Sequence, residues 1–413
     1  MSARRYAMLS TAGMILLAGA AAADEQGGEF ASAVTSGTAG VSIRYRYEHV
    51  DQDNFAEKAD ASTARLRLNY RTGQWHGWSA FGEFEYIFHV LLTDFNSGAG
   101  TSPDKSQYPV VADPKGADLN QLYVDYAGRD AWSLRFGRQR ILLDNQRFVG
   151  GVGWRQNEQT YDAVTLSMQG IPKTRLQYTY NTWVRRVFGD TVPAGREQVR
   201  NHFVNAKITL DDDWSVVPYL YYLDYQDAGS AANSTATIGA RLAGSLAAGD
   251  GKIALVGEFA RQSDAASNPV DYSANYIHFD GAWTLDNGLS LGIGYESLGG
   301  DAGSAGSAFR TPLATLHAFQ GWADQFLSTP AAGIDDIYFT AKYKAGDWNL
   351  TGVYHDFSAE AGGGDYGREF DVAVARNFGK RYGLLLKGAF FSADSTSSFS
   401  DTTKIWVQLT AAY

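Results

Sequence analysis

Apolar and polar residues alternate with a period of two through most of the chain beyond residue 37. Val41, Ile43, Tyr45 and Tyr47 interleave with Ser42, Arg44, Arg46 and Glu48. Leu66, Leu68 and Tyr70 interleave with Arg65, Arg67, Asn69 and Arg71, and Trp78 to Phe88 repeats the pattern around Glu83 and Glu85. Alternate side chains leave opposite faces of a strand, so each run predicts a strand with one apolar and one polar side. The stretch Ala131–Gln169 is the most informative. Trp132, Leu134 and Phe136 alternate with Ser133, Arg135 and Gly137, an Arg-rich connection follows, and Val164, Leu166 and Met168 resume the alternation.

The segments between the runs also alternate, long with short. Long connections are expected near 89–117, 140–157, 187–200, 227–233, 263–270, 298–334, 358–366 and 394–400, and short turns between them. The last run, Ile405 to Tyr413, ends on an aromatic residue. Strands of about ten residues with aromatic-rich apolar faces, joined alternately by long loops and short turns, are the pattern of an outer-membrane barrel. A soluble β-sandwich would alternate too, but its polar faces would not carry ladders of Arg, Lys, Glu and Asp. In lipid every backbone group must pair internally, and a closed barrel is the β-solution. The expectation is therefore an all-β fold: a transmembrane antiparallel β-barrel of about 18 strands, or 16 if one hairpin is misassigned, with long extracellular loops and short periplasmic turns.

The chain has 413 residues, 45 Gly, 9 Pro, no Cys and 14% aromatics. Zero Cys excludes a disulfide framework and Cys-ligated metal. Arg4 and Arg5, an apolar run from Met8 to Leu17 and the Ala20–Ala23 tail read as a signal peptide over residues 1–23. Residues 24–37 read as a flexible periplasmic N-terminus and 38–413 as the barrel. No later run reaches the roughly 20 apolar residues of a membrane helix. The net charge is −10, or −12 once Arg4 and Arg5 leave. That balance argues against a nucleic-acid partner.

Placing each strand's polar face inward distributes the charges unevenly. Arg44, Arg46, Arg65, Arg67 and Arg135 gather on the first, second and fifth strands, with Glu83 and Glu85 on the third to brace them. Arg185 is also expected inward. Rings of Arg favour anions in a pore, and the planar guanidinium suits carboxylates. The loop 298–334 places Ala314, Leu316, Phe319, Trp322, Ala323 and Phe326 near helical spacing, which predicts a short helix capping or entering the pore. Catalysis has little support. The seven His are scattered, and neither H-E-x-x-H nor a phosphate loop occurs. No cofactor or metal is expected.

Phe136-Gly137-Arg138-Gln139, Asp144, Arg147-Phe148, Trp154-Arg155 and Tyr161-Asp162 resemble the hallmark stretch of the alginate-export porin family. Thr311-Pro312-Leu313, His317, Phe319, Gly321-Trp322-Ala323-Asp324 and Phe326 resemble a second stretch of that family. The resemblance implies a monomeric eighteen-stranded barrel with an Arg-rich, anion-selective constriction for a uronate polymer. By position it gives that role to Arg46, Arg67, Arg135, Arg138 and Arg155, with Asp162 as a bracing acid and His317, Trp322 and Asp324 as the loop motif. Strict alternation points Arg138 away from the lumen, so its role requires a bulge or strand end to re-aim it. The exporter's long periplasmic gating loop is matched here only by a short turn near Gly379-Lys380. The expected function is an outer-membrane porin for passive diffusion of anionic, sugar-acid-like solutes. A dedicated polysaccharide exporter is the alternative, and an outer-membrane enzyme the outsider. Expected partners are outer-membrane lipid, the barrel-assembly machinery and the anionic carbohydrate itself.

Overall fold

A computed structural model describes residues 25–128 and 131–413. The expected signal peptide therefore lies outside the described residues. Eighteen antiparallel strands close into one barrel. The first half comprises β1 (Thr38–Gln52), β2 (Ala59–Arg71), β3 (Trp78–Asp94), β4 (Gly116–Ala127), β5 (Trp132–Gln139), β6 (Thr160–Ile171), β7 (Thr174–Arg185), β8 (Arg196–Thr209) and β9 (Trp214–Leu223). The second comprises β10 (Thr235–Ala247), β11 (Gly251–Asp264), β12 (Ser273–Leu285), β13 (Leu289–Leu298), β14 (Ile334–Ala345), β15 (Trp348–Ser358), β16 (Asp365–Phe378), β17 (Tyr382–Ala393) and β18 (Thr402–Ala412). Each strand pairs with its sequence neighbours. β1 pairs with β18 from Ser42 opposite Ala412 to Gln52 opposite Thr402, which leaves no free edge.

The alternation sets the two faces. Phe136, Leu122 and Ile43 are half or more exposed on the outside of the wall, while Arg44, Arg46, Glu48, Arg65 and Arg67 are buried inside. An apolar exterior and polar interior invert the soluble pattern, as lipid contact requires. Periplasmic turns are short, such as 172–173, 346–347 and 379–381. Outer connections reach 140–159 and 299–333.

Residues 24–37, expected to be loose, instead contain helix α1 (Glu25–Thr35). Phe30, Ala33 and Val34 share a face at helical spacing. That face docks on the β2–β3 turn. Gly73 N–H donates to Ala33 O at 2.8 Å, the Tyr70 hydroxyl donates to Val34 O, and Phe30 meets the edge of Trp75 at 5.5 Å.

Candidate functional site: the inner arginine ladder

Two outer loops fold into the barrel and meet. Val149 of the β5–β6 loop and Leu313 of the β13–β14 loop form a parallel bridge, with Gly150 N–H donating to Leu313 O at 2.9 Å. Thr315 N–H donates to Gln146 O at 3.0 Å. Both bridge residues are fully buried in an apolar cluster with Phe309, Tyr276 and Trp406. Phe148 packs against Tyr219, Tyr221, Tyr276 and Phe309. Arg147 fastens the junction to the wall: its Nε donates to Glu296 at 2.7 Å and its two terminal nitrogens to Thr311 and Gln320. The loops thus bury their apolar residues against each other inside the lumen.

A ladder of cations climbs the wall beside these loops. At its periplasmic end Arg71 and Arg135 share Asp125, at 3.1 and 2.6 Å, and the Arg135 guanidinium lies 4.0 Å over the Tyr123 ring. With Arg140 and Arg175 they line a cavity of about 770 Å³. One step higher, Arg67 sits between Glu85 and Glu158, at 2.6 Å from each. Arg140 joins Glu83 at 2.6 Å and also contacts Glu158.

Arg44 and Arg65 come next, and their partners differ in kind. Arg44 donates to Gln156 Oε1 and Gly153 O, both at 2.9 Å, and to Arg155 O. Arg65 donates to Gln156 O at 3.1 Å. Carbonyl dipoles of the folded-in loop therefore take the place of carboxylates. Above them Arg46 donates to Gln408, lies 3.8 Å from Asp113 and stacks 3.9 Å over Trp154. Arg155 reaches Glu48 at 3.0 Å and Asp324 at 3.2 Å.

Asp324 ties the ladder to the β13–β14 loop. It accepts from Lys404 at 2.8 Å and from His317 Nδ1 at 2.7 Å, while His317 Nε2 faces Lys387 Nζ at 2.8 Å. The His317 ring stacks on Trp154 at 4.4 Å. An imidazole that donates through Nδ1 and accepts from an ammonium at Nε2 is neutral. Burial, chiefly, pushes its pKa down to about 3; Lys387 adds to this and Asp324 opposes it. Burial raises the Asp324 carboxyl, but His317, Lys404 and Arg155 outweigh it and hold the group well below the ordinary range. Glu158 behaves alike: burial raises it, Arg67 and Arg140 outweigh that, and its pKa falls to about 2.

The residues expected at the site divide into two groups. Arg44, Arg46, Arg65, Arg67, Arg135 and Arg155 all stand on this ladder, with Glu83 and Glu85 bonded to Arg140 and Arg67. Arg138 and Asp162 do not. Gly137 is drawn into a positive φ of 125°, yet register continues through Leu122, Arg138 and Asp162, and Leu122 is exposed outside. Arg138 therefore keeps the outer face that alternation gave it. It bonds Asp162 at 2.8 Å, which also holds Arg185. Arg185 joins them because the ladder skips Thr182 on both sides, turning Val184 inward and Arg185 outward. The expected helix around 314–326 is a single 3₁₀ turn, Leu316–Ala318. Gln320, Gly321 and Asp324 adopt positive φ, which breaks the helical path. Trp322 N–H and Ala323 N–H donate instead to Asp371 and Glu369, and Lys387 Nζ lies 3.6 Å over the Trp322 ring. Sequence reasoning missed Arg140, Gln156, Glu158 and Asp113, which lie in the loops where alternation carries no information. The string Gly288-Leu289-Ser290-Leu291-Gly292 spells a nucleophile elbow, but it opens β13 from a turn and Ser290 Oγ accepts from Thr284. It lacks the strand-to-helix geometry of that motif.

A closed barrel with an apolar outer belt and loops folded into its lumen defines a channel of the Gram-negative outer membrane. The family model for alginate export matches residues 36–295, and the chain belongs to that family. It is a transport family, and the protein is a channel rather than an enzyme. No curated protein sequence matches the chain. Among solved structures, Acinetobacter baumannii OccAB1 aligns with a TM-score of 0.72 at 13% identity, over 92% of this chain and 97% of that one. Pseudomonas aeruginosa OccK9 (OpdG) aligns at 0.70 and 14%, over 92% and 99%. P. aeruginosa OpdK, solved with vanillate, aligns at 0.68 and 13%, over 91% and 98%.

Proposed function

We propose that the protein is a monomeric porin through which small anionic solutes, sugar acids among them, diffuse along the arginine ladder. The observation that carries this reading is the Arg44–Arg65 pair. The two buried arginines lie opposite each other across the β1–β2 ladder, and among the described residues neither has a carboxylate within ion-pair distance. Like charges so placed cost stability unless something compensates them. A passing carboxylate would. The acids at other rungs neutralise their arginines in part, which keeps an anion from binding too tightly to leave. The P. aeruginosa OpdK structure with vanillate, itself a carboxylate, has the same fold.

Export of a long polysaccharide is the second reading. The alginate-export family membership favours it. Two outer loops packed through the lumen favour small solutes instead. Barrel assembly through β18, and delivery by the 1–23 signal peptide, belong to the same proposal. The test is ion current through single purified channels with glucuronate or glucose added. Glucuronate should interrupt the current and glucose should not. Equal effects of the two would refute an anion-binding passage.

A further inference from the structure

We propose that the lipid-facing side of β7–β9 binds the phosphorylated headgroup of an outer-leaflet glycolipid, at Arg196 and Arg200. Register stacks three kinds of side chain on this face, in order towards the outer rim. Tyr178, Val204 and Leu220 share one row, and Tyr180, His202 and Tyr222 the next. Leu220 is 44% exposed on the outside of the wall, and the Tyr178 hydroxyl lies 2.8 Å from His202 Nδ1. Such aromatic rows sit where acyl chains give way to headgroups. Beyond them β8 presents Arg200, Gln198 and Arg196, all exposed. Val199 and Asn201 flank Arg200 and are buried towards the lumen, so alternation sends Arg200 to the lipid side. Arg196 stands opposite Arg185, which shares the outer face with Asp162. Both guanidinium groups therefore lie at headgroup height.

Other cations of this rim are engaged. Arg138 and Arg185 share Asp162, Arg368 meets Asp356 at 3.3 Å, and Arg261 donates to Ser273 and Asn275. Arg196 and Arg200 have no carboxylate within ion-pair distance among the described residues. Arg196 lies 5.6 Å from the Trp183 ring. Asp224 meets Arg200 through the backbone alone, its carbonyl accepting the Arg200 N–H at 2.8 Å, and the Asp227 carboxylate takes the Gln198 N–H at 3.3 Å. Four residues apart on one strand, the two arginines stand about 13 Å apart at Cα, a span that two long side chains can close on one headgroup. Their planar forks suit phosphate oxygens. Gln198 between them offers an amide to sugar hydroxyls, and Trp183 offers a ring face. A simple phospholipid would occupy the forks and leave both of these unused, so the site favours a phosphorylated sugar. The acyl chains would lie along Tyr178, Val204 and Leu220. All these groups face away from the lumen, so the site does not depend on the anion passage.

Native mass spectrometry of the purified protein in detergent tests it, with lipid A, dephosphorylated lipid A and phosphatidylglycerol as probes. The parent protein should retain lipid A about tenfold more tightly than the dephosphorylated form, as charge-assisted hydrogen bonds to the phosphate imply. The Arg196→Gln, Arg200→Gln double variant should lose that preference while keeping its heat-modifiable gel band, which shows that the barrel is intact. Arg261→Gln should keep the preference, because that arginine already has its partners. Equal retention of the two forms of lipid A, or an undiminished preference in the double variant, overturns the proposal. Phosphatidylglycerol that competes as well as lipid A overturns the assignment to a glycolipid. The reversal potential of the double variant should equal the parent's, since both residues lie outside the passage; a shift towards cations would place them in the lumen and refute the site.

Discussion

Arg44 and Arg65 lie directly opposite each other across the β1–β2 ladder, and the oxygens around them come from amides of the β5–β6 loop. Arg67, two residues along β2 from Arg65, is set instead between Glu85 and Glu158. The same residue type on one strand thus has opposite energetic roles. Removing a charge held only by amide oxygens relieves repulsion from its cationic neighbour, whereas removing one set between two carboxylates strands its partners.

Stability should report that difference. Arg44→Gln and Arg65→Gln should lose their folded, heat-modifiable gel band at no lower temperature than the parent protein. Arg67→Gln should lose it at a lower temperature, because breaking a buried pair from one side costs about 3–5 kcal/mol. Equal losses in all three would show that the Arg44–Arg65 pair is compensated by other means.

Glu158→Gln should act on selectivity in the opposite sense to an arginine deletion. It removes one negative charge beside Arg67 and Arg140. The anion-to-cation permeability ratio, read from reversal potentials, should rise by roughly a factor of two to five, as expected for about 0.5–1 kcal/mol in a water-screened passage. A fall would mean that Glu158 does not face the permeating ions.

Acid should loosen the β13–β14 loop. The docked loop holds His317 neutral with a pKa of about 3, below the ordinary 6.5. A lowered His pKa means that the undocked loop binds more protons, so docking is fully stable above pH 6.5 and weakens steadily as pH falls towards 3. Asp324, held below its ordinary 3.8, adds a loss of the same sign below that pH. Single-channel conductance should therefore increase between pH 6.5 and 3. His317→Gln, which stays neutral, should flatten the upper part of that curve. A conductance unchanged over the range would show that the loop does not control the passage.

Asp324→Ala should produce the open state at neutral pH. The substitution leaves Lys404 and Arg155 without their shared carboxylate. Conductance should rise, and residues 299–333 should become sensitive to added protease, while the barrel's own heat resistance is retained. Protection equal to that of the parent protein would place the anchor elsewhere, for instance at Glu369 and Asp371.

Arg138→Ala is the control for the ladder. Its bonds to Asp162 and Leu119 O lie on the outer face. The reversal potential should stay constant, with a modest loss of heat resistance of about 1–2 kcal/mol for a charge-assisted contact.

The wall was legible in the sequence because a period of two is a local signal. Val41 to Glu48 announces both its faces without reference to anything distant. The contents of the lumen were not. Val149 meets Leu313 and Arg147 meets Glu296 across more than a hundred residues, and nothing local in either loop specifies the other. Hence Arg46 and Arg67 could be placed by alternation, while Arg140, Gln156 and Glu158 could not. Arg185 shows the opposite failure. A single skipped residue at Thr182 reverses every later face of β7. In α1, Phe30 and Ala33 carry a weak helical signal that becomes visible only against the β2–β3 turn they cover.

The most direct test of the central claim is the reversal potential of the purified channel in a salt gradient, beside that of the Arg44→Gln, Arg65→Gln double variant. The arginine-ladder account predicts anion preference in the parent and a clear shift towards cations in the variant. Cation preference in the parent, or an identical potential in both, would contradict it.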